Sequence, residues 1–447
     1  MWGFITPGAG KSALRTTLTK HFGGAPVEEI VTAARDFPVM SRVDVQLGLE
    51  RLLANHSSPK LLGIHSQMNH ETSSFAQLLA PGPFNVQLGP LQHDEVDVGD
   101  PTPVRCLKNA LWLAQSSVPF AILLAPAMQY GQVGGVHVEV AVPIGEAGAT
   151  VSQDLFRDLE LRVGAGKTYR GRVISLESYH DYSGRVGAVK VHRLHQVTRD
   201  DIILPDPTLR LLDRNVGHFV AAREQIKALR FSAKKGLLFY GPPGTGKTHT
   251  VHYLASQLPE HTTLLITAEQ VGLLGEYFRL ARFLQPAIMV IEDVDLIARE
   301  REHMSAGQEV LLNKLLNEMD GLREDAEILF ILTTNRPDQL EPALASRPGR
   351  IDQAIEFPLP DEEGRTKLTK LYARGVEVPP PVLDLIVRRS AGASAAFIKE
   401  LMRRSAQFQI ELQRGAVLHE DAVNAAIEEM VFGGGALNLR LLGGPQA

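Results

Sequence analysis

The chain has 447 residues, 44% of them apolar and 22% charged, with a formal net charge of -5. That length accommodates two or three domains with separate cores, and the balance is globular, neither disordered nor fibrous. The charge makes no whole-chain case for nucleic-acid binding, and a single cysteine, Cys106, excludes an intrachain disulfide framework and a cysteine-ligated metal site.

The chain opens with a decoy. Gly8-Ala9-Gly10-Lys11-Ser12 ends like a phosphate loop, but Ile5 stands where the pattern needs glycine and no apolar strand leads into it. In 27–35 and 44–54 apolar residues recur at helical spacing, and Ala80-Pro81-Gly82-Pro83 is a break, so 1–82 is expected to be a helical portion. Residues 83–200 change character: 118–125, 135–143, 171–178 and 186–193 carry β-branched residues in approximate alternation between glycine turns, which predicts a separate, strand-rich α+β recruitment domain. The apolar run 118–126 is too short to cross a bilayer. The N-terminus lacks the basic segment and apolar core of a secretory signal, so no membrane span and a cytoplasmic location are expected.

Two polar groups in this region are weak signals. His93-Asp94-Glu95 and His180-Asp181 lack the further ligands that a metal site needs. Arg157, Arg162, Lys167, Arg170 and Arg172 beside Tyr169 read as solvated faces, with a nucleic-acid surface as the alternative.

From residue 201 the pattern becomes doubly wound α/β, with short apolar strands at 236–240, 263–267, 286–291, 327–333 and 353–357. Between the first strand and a helix-like segment stands Gly241-Pro242-Pro243-Gly244-Thr245-Gly246-Lys247-Thr248, followed by His249. The glycines let successive N–H groups converge on phosphates, Lys247 supplies a mobile cation and the Thr248 hydroxyl suits Mg²⁺, so ATP or GTP is the first ligand to consider. Ile291-Glu292-Asp293-Val294-Asp295 delivers carboxylates to another strand's C-terminal end: Glu292 with Thr248 to hold Mg²⁺, Asp293 to orient the attacking water. Asn335, at the end of the next strand, offers an amide to that water or to the γ-phosphate. Arg347 and Arg350 offer planar forks to phosphate oxygens. In 308–322, Leu311, Leu315, Met319 and Leu322 share one helical face. After Pro360, segments 365–374, 382–390, 395–412 and 419–430 all have helical periodicity, and 433–447 reads as a tail.

Taken in order, GPPGTGKT at 241–248, IEDVD at 291–295, TTNRPDQLEPALASRPGR at 333–350 and the helical segment with Ser390-Ala391-Gly392-Ala393-Ser394 resemble an AAA-family ATPase module over 201–432. The resemblance implies a P-loop core over 201–360 and a helical lid over 361–432. It further implies ATP with Mg²⁺ as cofactors, self-association, usually as a homohexameric ring, and hydrolysis coupled to remodelling of a macromolecule. A protein client is the preferred load; a nucleic-acid remodeller or a slow ATP-gated scaffold are the alternatives. By motif position, Arg347 and Arg350 correspond to the pair supplied by a neighbouring subunit, Asn335 to the first sensor, and Asp213, Asn215, Val216 and Gly217 to the adenine contacts. Three features depart from the family pattern. The acidic pair is Glu-Asp where Asp-Glu is usual, Leu273-Leu274 stand where a pore aromatic is expected with Tyr277 falling later, and the lid opening lacks an arginine.

Overall fold

The computed structural model describes residues 13–56, 59–65, 71–79, 86–129, 132–166, 168–178, 186–295, 309–338, 350–433 and 444. Two compact units emerge: the first takes in 1–170 and 175–191, the second 171–174 and 192–447.

The first unit is built on an antiparallel sheet. Its strands are β1 (Ile30–Pro38), β2 (Lys60–His65), β3 (Gln87–Gly89), a hairpin of β4 (His93–Val96) and β5 (Val104–Leu107), β6 (Ala110–Gln115), β7 (Pro119–Gln129) and β8 (Gln132–Pro143). The main sheet runs β1-β8-β7-β6-β2-β3. Helices cover both faces, which is why β6 and β7 are apolar almost throughout. Trp112, Ile122 and Leu124 face α1 (Arg42–Leu53) and α2 (Glu146–Gly164). Leu111, Leu113, Ala121 and Leu123 alternate with them and face α3 (Ala13–His21) and α4 (Phe75–Leu79).

The expected helix at 27–35 is corrected. Ile30–Pro38 is an edge strand paired antiparallel with β8, from Ile30 opposite Pro143 to Pro38 opposite Gly135. Val-Glu-Glu-Ile has helical spacing, but the β-branched Ile30, Val31 and Thr32 find an open sheet edge there, and pairing satisfies every backbone group on that side. The helix expected at 44–54 is present as α1. The long α2 interrupts the strand-rich reading, and it explains part of the basic stretch: Arg157 pairs with Asp154 at 2.5 Å and Arg162 with Asp158 at 3.0 Å on the same helix. Tyr169 is buried, so it offers no stacking face. Cys106 is buried, and burial pushes its thiol up to about 11, which leaves it protonated and unreactive at neutral pH.

The second unit holds a parallel sheet, β12 (Thr262–Ile266), β13 (Ala287–Ile291), β14 (Ile328–Thr334), β11 (Lys235–Tyr240) and β15 (Gln353–Glu356), neighbours in that order. Val173 and Ile174, which open β9 (Val173–Ser178), run parallel beside Thr263 and Leu264; β10 is Val186–Val191. Parallel pairing puts the C-terminal ends of β11, β13 and β14 side by side at one edge. The connecting helices are α5 (Asp206–Leu212), α6 (Arg223–Ala228), α7 (Lys247–Gln257), α8 (Leu274–Phe283) and α9 (Glu309–Asp320). Leu315, Met319 and Leu322 are buried, as one helical face requires. Four helices follow, α10 (Glu362–Ala373), α11 (Pro380–Arg389), α12 (Ala395–Glu411) and α13 (Glu420–Glu428), around Ile386, Phe397, Leu401, Val423 and Ile427. Among the described residues no helix is long and apolar enough to cross a membrane.

Candidate functional site

β11 delivers the chain into the loop 241–246, and α7 begins at Lys247. Gly241, Gly244 and Gly246 have φ of 147°, 76° and 100°, in the half of backbone space that side chains disfavour. Two of them also lack room for a Cβ. At Gly241 it would run into the Phe357 carbonyl; at Gly244 it would lie 2.8 Å from Ala396 Cβ and 2.9 Å from Ser394 Oγ, both at the start of α12. The loop is therefore a cradle whose outer wall is α12, tied on by a hydrogen bond from Ala396 N to Gly244 O (3.1 Å).

Lys247 is buried, and its Nζ donates to Gly241 O (2.8 Å) and Pro242 O (2.9 Å). Burial pulls it down to about 8, partly opposed by the fields of Asp293 and Asp295. Carbonyls are weak partners for an ammonium, so this cation has more to gain from an anion than from its present bonds.

Glu292 and Asp293 follow β13 directly. Thr248 Oγ1 donates to Glu292 Oε1 (2.8 Å), bringing together the two oxygen donors expected to hold Mg²⁺. Such hard oxygen ligands fit that ion, which the protein would bind through one or two side chains together with substrate phosphates. Asp293 adopts φ 47°, a left-handed turn that Asp tolerates better than most residues, and its N donates to Thr333 Oγ1 (3.0 Å). Its Oδ1 accepts from Asn335 Nδ2 (3.0 Å), joining the expected water-orienting carboxylate to the expected sensor amide. Burial holds the Asp293 carboxyl above its ordinary value, reinforced by Asp295 and opposed by Lys247 and Asn335. The Glu-Asp order thus puts the longer side chain beside Thr248 and the shorter one beside Asn335.

Asp295 closes the acidic run that follows β13. It is buried, accepts from Thr334 Oγ1 (2.8 Å) and Asn335 N (3.2 Å), and so fixes the backbone from which Asn335 projects. Its position two residues beyond Asp293 was the available signal.

A cavity of about 680 Å³ opens over this cluster, lined by Pro243 through Thr250, including His249, and by Asp293, Thr333 and Asn335. It is lined as well by Asp201-Ile202-Ile203-Leu204 with Leu368, Leu371 and Tyr372. The apolar side chains among these have the character of a base site. The expected adenine contacts are corrected accordingly. Asp213, Asn215, Val216 and Gly217 do not line the cavity: Val216 lies in the core with Leu237 and Phe239, Asn215 Nδ2 donates to Leu211 O (2.8 Å) and Asp213 pairs with Arg199 (2.8 Å). Gly217 sits in the same helical stretch.

Arg350 is not brought to the cluster. Its guanidinium is clamped by both oxygens of Asp320 at the end of α9 and is 10% exposed, with Nη1 buried and unpaired. Its carbonyl abuts Gly236 at the start of β11, roughly 16 Å of strand from the phosphate loop of the same chain. Arg347 lies outside the described residues, as do Lys167, His180 and Asp181. Of the other weak signals, Asp94 is engaged by Arg42 (2.7 Å), and no group of three metal-ligating side chains occurs among the described residues. Leu273 and Leu274 are buried, and Tyr277 is buried with its hydroxyl donating to Leu265 O (3.0 Å), so all three are core residues rather than a gripping surface.

Residues 237–359 match the family described as "ATPase family associated with various cellular activities (AAA)". Among curated proteins the chain is similar to the 26S proteasome regulatory subunit 10B of Dictyostelium discoideum, 36% identical over 206 residues, covering 43% of this chain and 52% of that protein. It is also similar to the proteasome-activating nucleotidases of Pyrococcus furiosus (37% over 203 residues, 43% and 51%) and Methanothermobacter thermautotrophicus (34% over 215 residues, 45% and 52%). The chain spans about half the length of the curated relatives it matches.

Proposed function

We propose that the AAA-family ATPase domain carried by this chain hydrolyses Mg-ATP at a site completed by a neighbouring copy, and that turnover remodels a protein client. The observation that carries the reading is the convergence on one cavity of Lys247, Thr248 and the Asp293–Asn335 pair, with Glu292 held on Thr248.

The base lies against Ile202, Ile203, Leu371 and Tyr372, and the phosphates lie in the 243–248 cradle. Lys247 leaves its loop carbonyls for the β- and γ-phosphates. Thr248 and Glu292 are the residues that would hold Mg²⁺, which when bound neutralises phosphate charge. Asp293 orients the attacking water, and Asn335, aligned by Asp295, donates to that water or to the departing phosphate. Arg347 and Arg350 serve the neighbour's nucleotide and not their own, which accords with Arg350 being held by Asp320 away from the phosphate loop of the same chain. A closed ring, usually of six copies, gives every site such a neighbour. Loss of the γ-phosphate frees the lid from its hold on the cradle, and lid rotation drives the client. The N-terminal unit recruits that client, in the cytoplasm. The relatives named as proteasome-activating nucleotidases favour a protein load over a nucleic acid.

The test is Lys247→Ala. ATP binding is expected to fall by on the order of a hundredfold or more, with turnover lost, since one buried charge facing two phosphates is removed. Unchanged ATP turnover in purified K247A protein would overturn the assignment.

A further inference from the structure

β1 closes one side of the N-terminal sheet, and among the described residues no strand pairs with its outer rim. Ile144 N donates to Glu29 O (2.7 Å), one step beyond the pair Ile30–Pro143, which fixes the alternation of the antiparallel ladder. Val31, Ala33, Arg35 and Phe37 therefore turn their N–H and C=O groups toward β8, and Thr32, Ala34 and Asp36 turn theirs outward. All three outward residues are exposed. The strand is nine residues long, pairs with β8 without a bulge and has its one proline at the end, so neither bulge nor proline blunts its middle. Its two charges are engaged within the unit, Arg35 by Glu160 (3.2 Å) and Asp36 by His137 (2.6 Å).

The residues of this edge complement themselves. Two copies of β1 laid antiparallel about Ala34, the midpoint of the strand, put Thr32 opposite Asp36 and Ala34 opposite Ala34, each a hydrogen-bonded pair, for about six bonds in all. Between those pairs Val31 falls opposite Phe37 and Arg35 opposite Ala33. Val31 is 46% exposed, and Phe37 lies at the margin of the core that holds Trp112 and Phe156, so the pairing covers apolar surface on both copies. A two-fold axis at Arg35 would set two guanidiniums against each other, one at Asp36 two carboxylates, and one at Ala33 would face Val31 with Arg35. Of these axes, the one at Ala34 matches apolar with apolar and opposes no like charges.

We infer that the outer rim of β1 is an interaction site for a second copy of this chain, the two sheets joining antiparallel about Ala34 into one. The contact is isologous: the same patch serves both copies, and the pair closes on itself. It involves no residue of the nucleotide site. A client segment would need only backbone groups at this edge; the match of Val31 with Phe37 and of Thr32 with Asp36 is what a second copy supplies.

The test places single cysteines along β1 of the full chain and treats each protein with oxidised glutathione; Cys106 is buried and stays out of the reaction. Opposed residues of a hydrogen-bonded pair have Cα atoms about 5.5 Å apart, within disulfide reach. Ala34→Cys should therefore run mostly as a covalent dimer. Thr32→Cys and Arg35→Cys should run as single chains, because their Cα atoms lie roughly 14 Å and 8 Å from their counterparts, beyond the limit of about 7 Å for a disulfide. All three side chains are exposed, so the substitutions leave the fold in place, which thermal melting checks. Absence of dimer from A34C would overturn the inference, and so would equal dimer from all three proteins, the mark of random collision. A34C trapped on a different polypeptide would overturn it as well, giving the edge to a client segment.

Discussion

The two units both place polar side chains on a sheet, yet only one makes a reactive edge. In the N-terminal unit His137 on β8 lies 2.6 Å from Asp36 on β1 and 3.8 Å from Glu139, and Glu139 accepts from Phe75 N (2.7 Å). These groups sit in mid-strand, where the bonds of His137 to Asp36 and of Phe75 N to Glu139 tie neighbouring elements together. In the C-terminal unit the polar residues stand beyond the ends of parallel strands, where loops converge and a cavity opens. Antiparallel hairpins send alternate strand ends to opposite edges, whereas parallel strands collect theirs at one. Sheet direction, more than polar content, separates a cluster that holds a fold together from one positioned to act on a ligand.

Removing a member of the parallel-sheet cluster should cost activity steeply. Asn335→Ala is expected to lower the hydrolysis rate by on the order of a hundredfold with little change in ATP affinity, as for loss of one positioned donor. Steady-state kinetics with separately measured binding checks this, and a full rate would break the distinction drawn between the two clusters.

Proton linkage gives an intermediate effect. Burial pulls Lys247 down to about 8, and phosphates beside it would raise that value, so nucleotide binding takes up a proton as pH rises above 8. ATP affinity should be flat below that pH and then fall by up to roughly tenfold per unit. Calorimetry across pH 6.5 to 9.5 in buffers of different ionisation heat would register the proton uptake.

The smallest effect at the nucleotide site should come from the antiparallel cluster. Burial disfavours the charged forms of His137 and Glu139, but their bonds to each other and to Asp36, Phe75 and Thr32 win, leaving His137 above its ordinary 6.5 and Glu139 below its ordinary 4.5. The stability His137 contributes is therefore full below pH 6.5 and lost as pH rises through its raised value. The part from Glu139 is full above pH 4.5 and lost on acidification. Glu139→Gln should destabilise the N-terminal unit by about 1–3 kcal/mol, the cost of a buried charged partner removed, without altering ATP affinity. Thermal melting and nucleotide titration of the same protein sample test both halves.

The chemistry was legible where a residue's type and its place on a strand end are bound together. Lys247, Thr248, Glu292, Asp293 and Asn335 each follow an apolar run that reads as a strand, and parallel pairing then leaves little choice about where they meet. What was not legible depends on partners distant in the chain. Whether 27–35 coils or extends is decided by the free edge of β8, more than a hundred residues away. Which segment walls the base end is decided by packing: Val216 is drawn into the core, and Asp201–Leu204 is left on the cavity. Leu273 and Leu274 fit either a grip or a core by composition, and only burial separates the two.

In the proposed mechanism the carboxylate–amide pair at the ends of β13 and β14 performs hydrolysis, with the reversed Glu-Asp order still functional. The direct measurement is single-turnover ATP hydrolysis beside equilibrium ATP binding in Asp293→Asn. ATP should bind with near-native affinity and hydrolysis should slow by on the order of a hundredfold or more, because the group lost orients water and does not hold phosphate. Hydrolysis at the native rate in D293N would contradict it.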